Sequence, residues 1–178
     1  MEFDLKGDFF DWAGGLLKDG EGAHQRILAY EVEDSALLDP FLHKDWTLDA
    51  LDGPGIARAT EASYDLVLCP TCFLTAEKES VPALASRLAS LTAPGGSALA
   101  LFPPAWLPAV WADRVIKFHK EGNTKLYFRF KNHIAAYTFY TNREIETLCR
   151  GLRLERLTIL HDGFRRAQYI PKPVERTP

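Results

Sequence analysis

Two stretches decide how this chain folds: YDLVLC at residues 64–69, followed by Pro70, and LASLTAPGGSALALF at residues 88–102. YDLVLC is apolar throughout after Asp65, as a central parallel strand covered on both faces must be. Val81, Leu84, Ala85, Leu88 and Leu91 then recur at helical spacing, with Pro82 in the first turn, where a missing amide proton costs nothing. Ala93-Pro94-Gly95-Gly96 stops that helix. SALALF at 97–102 reads as a second buried strand. A strand, a helix and a strand joined by about 27 residues form a parallel crossover, and such units are right-handed in about 98% of cases.

Working toward the front, RILAYEV at 26–32 predicts a buried strand, residues 35–43 a short helix interrupted by Pro40, and Trp46 to Leu51 a further strand before DGPG at 52–55. Leu5, Phe9, Trp12 and Leu16 fall at helical spacing in residues 3–18. Working toward the back, KLYFRF (125–130) and AAYTFY (135–140) flank KNHI and predict an aromatic antiparallel hairpin. Thr141 and Glu144 have the spacing of a capping box, Ile145, Leu148, Cys149 and Leu152 give the following helix its apolar face, and Gly151 closes it. A last hairpin turns at His161-Asp162-Gly163, between 154–160 and 164–170. The 178 residues suit one α/β domain, with a mainly parallel Rossmann-like sheet, an insertion at 103–140 and a loose tail at 171–178.

From residue 64 onward the order of elements resembles a class I S-adenosylmethionine (SAM)-dependent methyltransferase. YDLVLCP, the APGG turn with SALALF, YTNREIETLCRGL at 140–152 and the final hairpin match the later part of that family in order and spacing. The resemblance covers roughly residues 64–171 and implies SAM as cofactor, with residues 103–140 covering the methyl acceptor. It does not name that acceptor. The front departs from the family, which opens with a strand, a glycine-rich turn and, about 20 residues later, an acid that holds ribose hydroxyls. Arg26 to Val32 can be that strand, but Glu31, Glu33 and Asp34 follow it instead of glycine. Alternatively TLDALDGPGIARAT at 47–60 supplies the turn through Gly53 and Gly55, yet YDLVLC begins only about nine residues after Gly55. Either way the front is shortened and the cofactor motif degenerate. The resemblance implies Gly53 and Gly55 beside the methionine part of SAM, Glu31, Asp49 or Asp52 on amino or hydroxyl groups, and Cys69 at the end of the central strand. Cys72, Trp106, His133 and Tyr137 stand on the acceptor side. A rival reading keeps the fold and drops the activity, leaving a binding or oligomerisation module.

Cys69-Pro70-Thr71-Cys72 is also a CxxC, which in a redox enzyme sits at a helix end that acidifies the first thiol. A third reading is therefore a thiol oxidoreductase. Three cysteines without a second CxxC or a paired histidine do not make a zinc site, and His24, His43, His119, His133 and His161 are scattered. Glu31, Glu33, Asp34 and Asp39 resemble the magnesium-binding acids of a receiver domain, but Cys69 stands where that domain wants another acid. No metal is expected.

Charge divides along the chain. Residues 1–65 carry 15 acidic and 5 basic side chains, a net −10, and residues 66–178 a net +7, of which +4 lies in 103–140. In KLYFRFK, apolar Leu126, Phe128 and Phe130 alternate with Lys125, Tyr127, Arg129 and Lys131. That period of two buries one face and argues against a nucleic-acid platform. A flat aromatic hairpin offers instead a contact between copies of the chain. No stretch of about 18 apolar residues occurs, and MEFDLKGDFFDW lacks the basic and apolar runs of a signal peptide, so the chain reads as cytoplasmic.

Overall fold

The computed structural model describes residues 5–17, 25–32, 35–42 and 45–172. Six strands form the main sheet: β1 (Gln25–Tyr30), β2 (Trp46–Leu51), β3 (Tyr64–Cys69), β4 (Thr92–Phe102), β8 (Leu152–Ile159) and β9 (Arg165–Pro171). Their order across the sheet is β2-β1-β3-β4-β9-β8. The first four run parallel, and β9 and β8 close the edge antiparallel. The order reverses between β1 and β3. The chain leaves β1 for β2 on one side and returns to β3 on the other, which makes the ends of β1 and β3 a topological switch point.

Alternation along each strand splits the core into two layers. Leu28, Val67, Ala98, Ala100 and Phe102 face α2 (Gly53–Arg58), α3 (Cys72–Thr75), α4 (Val81–Leu91) and α5 (Asn142–Thr147), meeting Ile56, Phe73, Ala85, Leu88 and Ile145. Ile27, Ala29, Leu66, Leu68, Leu99 and Leu101 face the other way, toward Phe9 and Phe10 of α1 (Leu5–Gly14) and toward Leu38 and Phe41. Both faces of the parallel strands are thus covered, which is why YDLVLC carries no alternation of polarity.

The crossover from β3 to β4 follows the expected course, but β4 starts at Thr92, paired with Tyr64, so residues 93–96 belong to the strand, with Gly96 close against β3. A Cβ there would lie 2.8 Å from the Asp65 carbonyl and 2.9 Å from that of Tyr64, so only glycine lets the strands close. Asp65, the one charge in its strand, accepts from the Arg26 amide at 2.8 Å and fixes the register of β1 on β3.

Several expectations change. The helix after Thr141 ends at Thr147, so Leu152 belongs to β8 and not to that helix's apolar face. The helix expected from residue 35 onward is a 3-10 helix, Ser35–Phe41, containing Pro40. Gly53 and Gly55 belong to α2 and not to an open turn. The aromatic hairpin is a three-stranded antiparallel sheet, because β5 (Val115–Glu121) adds to β6 (Lys125–Phe130) and β7 (Ile134–Thr138). Its inner face carries Leu126 and Phe128, both fully buried. Phe128 lies 5.1 Å from Trp111, 5.0 Å from Phe118 and 5.8 Å from Tyr137, between ring centroids.

Polar bonds tie this small sheet to the main domain. The Thr138 hydroxyl donates to the Ala76 carbonyl at 2.6 Å, Lys125 pairs with Glu77 at 3.2 Å, and Lys78 donates to the Asn123 carbonyl at 2.8 Å. Arg165 is buried and holds the segment after β4. Its Nε and Nη2 donate to the Pro103 carbonyl at 3.1 and 2.8 Å, and its Nη1 donates to Asn142 Oδ1 at 3.0 Å.

Thr141 and Glu144 form the predicted capping box, with Lys78 2.6 Å from Glu144. Partial burial pushes the Glu144 carboxyl up, but the Lys78 and Thr141 hydrogen bonds outweigh it and leave the pKa below its ordinary value. The contribution is therefore present above the unfolded pKa, about 4.3, and lost as pH falls through the lower folded value. Glu144→Ala is expected to cost about 1 kcal/mol at neutral pH. Glu144→Gln keeps an acceptor and should cost less than about 0.5 kcal/mol, because the Glu144 side chain is 38% exposed and its ion pair is screened by solvent. Urea unfolding at pH 7 and pH 3.5 checks this, the Ala variant converging on the parent in acid.

Candidate functional site

A cleft of about 1110 Å³ opens at the switch point. Tyr30, Glu31 and Val32 from the end of β1 and Ala50, Leu51 and Asp52 from the end of β2 line one side. Thr71, Cys72, Thr75 and Ala76 after β3 line the other, with Ser80 and Leu84 of α4. Among the described residues, none that lines it is a lysine, arginine or histidine.

Asp52 is set by local chemistry. It is the N-cap of α2, its Oδ1 accepting from the Gly55 amide at 2.7 Å, with proline in the first turn to start the helix. The other end of this short helix is held by Arg87 of α4, which donates to the Ile56 carbonyl at 3.0 Å and the Ala59 carbonyl at 2.6 Å. Asp52 thus caps the helix with one oxygen while the residue lines the cleft. Glu31 follows β1 with φ +52°, a conformation that L side chains enter only at a cost of about 1 kcal/mol or more. Its amide donates to the Leu51 carbonyl at 2.9 Å, which bends the chain over the end of β2. Tyr30, buried beneath it, has its phenol pushed up to about 12, first by burial and then by the Glu31 carboxylate, to which it donates. The two acids therefore flank one cavity beside a protonated phenol.

The other predicted residues disperse. Asp49 accepts from the Tyr64 hydroxyl at 2.8 Å and lies 3.8 Å from Arg26, in an ion pair away from the cleft. Gly53 and Gly55 lie behind Asp52 in α2, and a Cβ on Gly53 would come within 3.8 Å of the Tyr30 hydroxyl. Of the acceptor-side residues, only Cys72 lines the cleft. Trp106 is on the loop after β4 and 52% exposed, His133 stacks on Phe130 at 4.6 Å on the surface, and Tyr137 packs against Phe164. Glu33, Asp34, His24, His43 and the tail after Lys172 lie outside the described residues. Tyr30, Thr71 and Ser80 line the cleft without having been singled out. Tyr30 and Thr71 carry a readable signal, as each sits at or just beyond a strand end on the switch point.

Cys69 and Cys72 are joined by a disulfide. Cys69 is the last residue of β3, and Cys72, not Cys69, opens the four-residue α3. The arrangement expected of an oxidoreductase, with the first thiol at a helix end, is therefore not the one present. Cys149 is free and buried, its thiol pushed up to about 12 by burial. Among the described residues no group of histidines, cysteines and acids could hold a metal ion, and no helix is long and apolar enough to cross a membrane.

The fold has counterparts in solved structures. The PH0226 protein from Pyrococcus horikoshii OT3 aligns over 97% of this chain and 92% of its own, at 12% identity and a TM-score of 0.67. The chain has the class I methyltransferase fold. Magnesium protoporphyrin IX methyltransferase from Synechocystis PCC 6803, solved with bound S-adenosylhomocysteine (SAH), shares this fold over 94% of the chain and 84% of its own, at 14% identity and a TM-score of 0.60. So does the 1,6-didemethyltoxoflavin-N1-methyltransferase of Burkholderia thailandensis, solved with its substrate and SAH, over 96% and 82%, at 13% identity and a TM-score of 0.57. No protein-family model matches the sequence, and no curated protein is significantly similar to it. β1 ends at Tyr30, and Glu31 and Val32 follow it. Among the described residues, what lies between β1 and β2 is a 3-10 helix, and between β2 and β3 the six-residue α2.

Proposed function

We propose that the cleft at the ends of β1, β2 and β3 binds SAM and that the protein transfers its methyl group to an acceptor. The observation that carries this reading is the acidic lining, with Glu31 and Asp52 and no described cation. A Rossmann-like cleft that takes a phosphorylated dinucleotide presents helix amides and often an arginine to the phosphates. Carboxylates repel phosphate. They suit a ligand that brings a sulfonium, an ammonium and ribose hydroxyls, which is the chemistry of SAM. The same fold in proteins solved with SAH supports the choice.

Bound there, SAM supplies an electrophilic methyl group. The chain's part is to bind and orient. Glu31 and Asp52 accept from hydroxyl or ammonium groups, the protonated Tyr30 holds the Glu31 carboxylate, and Thr71, Cys72 and Thr75 shape the opposite wall. Displacement at a methyl carbon depends on alignment more than on an acid–base pair, so the absence of a catalytic dyad among the lining residues fits the reaction.

Calorimetric titration with SAH tests the reading. We expect a Kd below about 100 μM, near −5.5 kcal/mol. Asp52→Asn should weaken it about tenfold, because the amide can still cap α2 but no longer carries charge. A second reading, a binding or assembly module without catalysis, is favoured by Glu31 standing where a glycine-rich turn would let the cofactor approach. Absence of heat at millimolar SAH, with the fold intact, would leave that reading. Light scattering of the same sample would then show whether the small sheet, with Ile116 67% and Ile134 63% exposed, joins two copies.

A further inference from the structure

The Cys69–Cys72 bridge has no part in the proposed methyl transfer. It closes a loop of four residues whose terminal Cα atoms are 5.9 Å apart, within the span a disulfide needs. The loop lies on the switch point, and Thr71 and Cys72 are part of the cleft wall. The Thr71 hydroxyl reaches across to β1 and donates to the Glu31 carbonyl at 3.4 Å. The bridge therefore fixes a segment that touches the candidate ligand on one side and the residue carrying Glu31 on the other. Both cysteines are buried, at 2% and 5% exposure, and share one core cluster, but Cys72 and not Cys69 is part of the cleft wall.

We propose that Cys69 and Cys72 are a reversible redox pair, the disulfide holding the cleft in its ligand-binding shape and a dithiol reductant releasing it. The ligand half of this statement rests on the SAM reading; the redox pair and its grip on the cleft wall do not. Exchange enters through the cleft. A thiolate of the reductant attacks Cys72 Sγ, the sulfur–sulfur bond breaks, and the electron pair leaves on Cys69 Sγ, which takes up a proton. The second thiol of the reductant then attacks the mixed disulfide, frees Cys72 as a thiol and departs as a cyclic disulfide. Two electrons and two protons pass to the protein, and the reductant is oxidised by the same amount. Once reduced, the loop loses its cross-link, and the Thr71 contact with β1 loosens. Coupling is reciprocal, so a ligand that prefers the oxidised cleft also makes the bridge harder to reduce.

Oxidised and dithiothreitol-treated protein are compared by alkylation and mass, by amide hydrogen exchange and by SAH calorimetry. Oxidised protein should present only Cys149 for alkylation after denaturation, and reduced protein all three cysteines. Reduction should speed exchange in segments 30–32 and 69–76 and weaken SAH binding at least about fivefold. The Cys69→Ser, Cys72→Ser double variant should behave as the reduced form and ignore dithiothreitol. A bridge that native protein does not surrender, or identical exchange in both states, overturns the proposal. Equal SAH affinity in both states overturns the coupling to ligand. If SAH binds neither form, the methyl-transfer reading falls, and the exchange data alone decide the redox pair.

Discussion

Glu31→Gly is expected to weaken SAH binding by about 10- to 100-fold while leaving the protein within about 0.5 kcal/mol of its original stability. The two effects part company because Glu31 sits at φ +52°, where glycine is comfortable and glutamate is not. Relief of that strain, about 1 kcal/mol, offsets the added backbone freedom of glycine in the unfolded chain. Removal of the carboxylate takes one of two acids from the cleft, and a hydrogen bond to a charged group contributes about 1.5–3 kcal/mol. Glu31→Ala is the control: it loses the same carboxylate but keeps the strain, so it should be about 1 kcal/mol less stable than the glycine variant. Urea unfolding and calorimetry on both variants make the test. SAH affinity unchanged in Glu31→Gly would remove Glu31 from the site.

Phe128→Ala is expected to be the most damaging single truncation in the small sheet, at about 3–5 kcal/mol. Phe128 is fully buried and edges against Trp111, Phe118 and Tyr137, so its removal deprives three aromatic neighbours of a partner at once. In a domain of this size the melting temperature should fall by roughly 10 °C. Scanning calorimetry checks it. A loss below about 1 kcal/mol would mean that the cluster relaxes to fill the space.

The readable parts of this fold share one property: their residues report on burial directly. YDLVLC and SALALF are apolar on both faces because both faces are covered, and the stripe of α4 repeats at the helical period because one side is. β5 was harder to see. VIKFHKE places Lys117, His119 and Glu121 outward and gives little to the core beyond Phe118, so its strand period reads as a charged loop. The front is obscured for another reason. Asp52-Gly53-Pro54-Gly55 looks like a flexible turn by composition, but N-capping by Asp52 and the grip of Arg87, 28–31 residues distant from the carbonyls it binds, make it a helix. Local sequence does not announce that partner. The site was legible to the extent that strand ends were: Glu31 and Asp52 meet across the switch point, whereas Trp106, His133 and Tyr137 were placed by position in a variable segment and lie elsewhere.

The bonds that fasten the small sheet give it a mechanical character. Thr138, Lys125 and Asn123 grip residues 76–78, and Thr75 and Ala76 are part of the cleft wall. The small sheet is thus anchored beside the pocket wall by three polar contacts. On its outer face Lys117, Arg129 and Ile134 stand side by side across the three strands. That row and the pocket wall are joined through three short polar struts, which make residues 76–78 the mechanical link between the outer surface and the pocket.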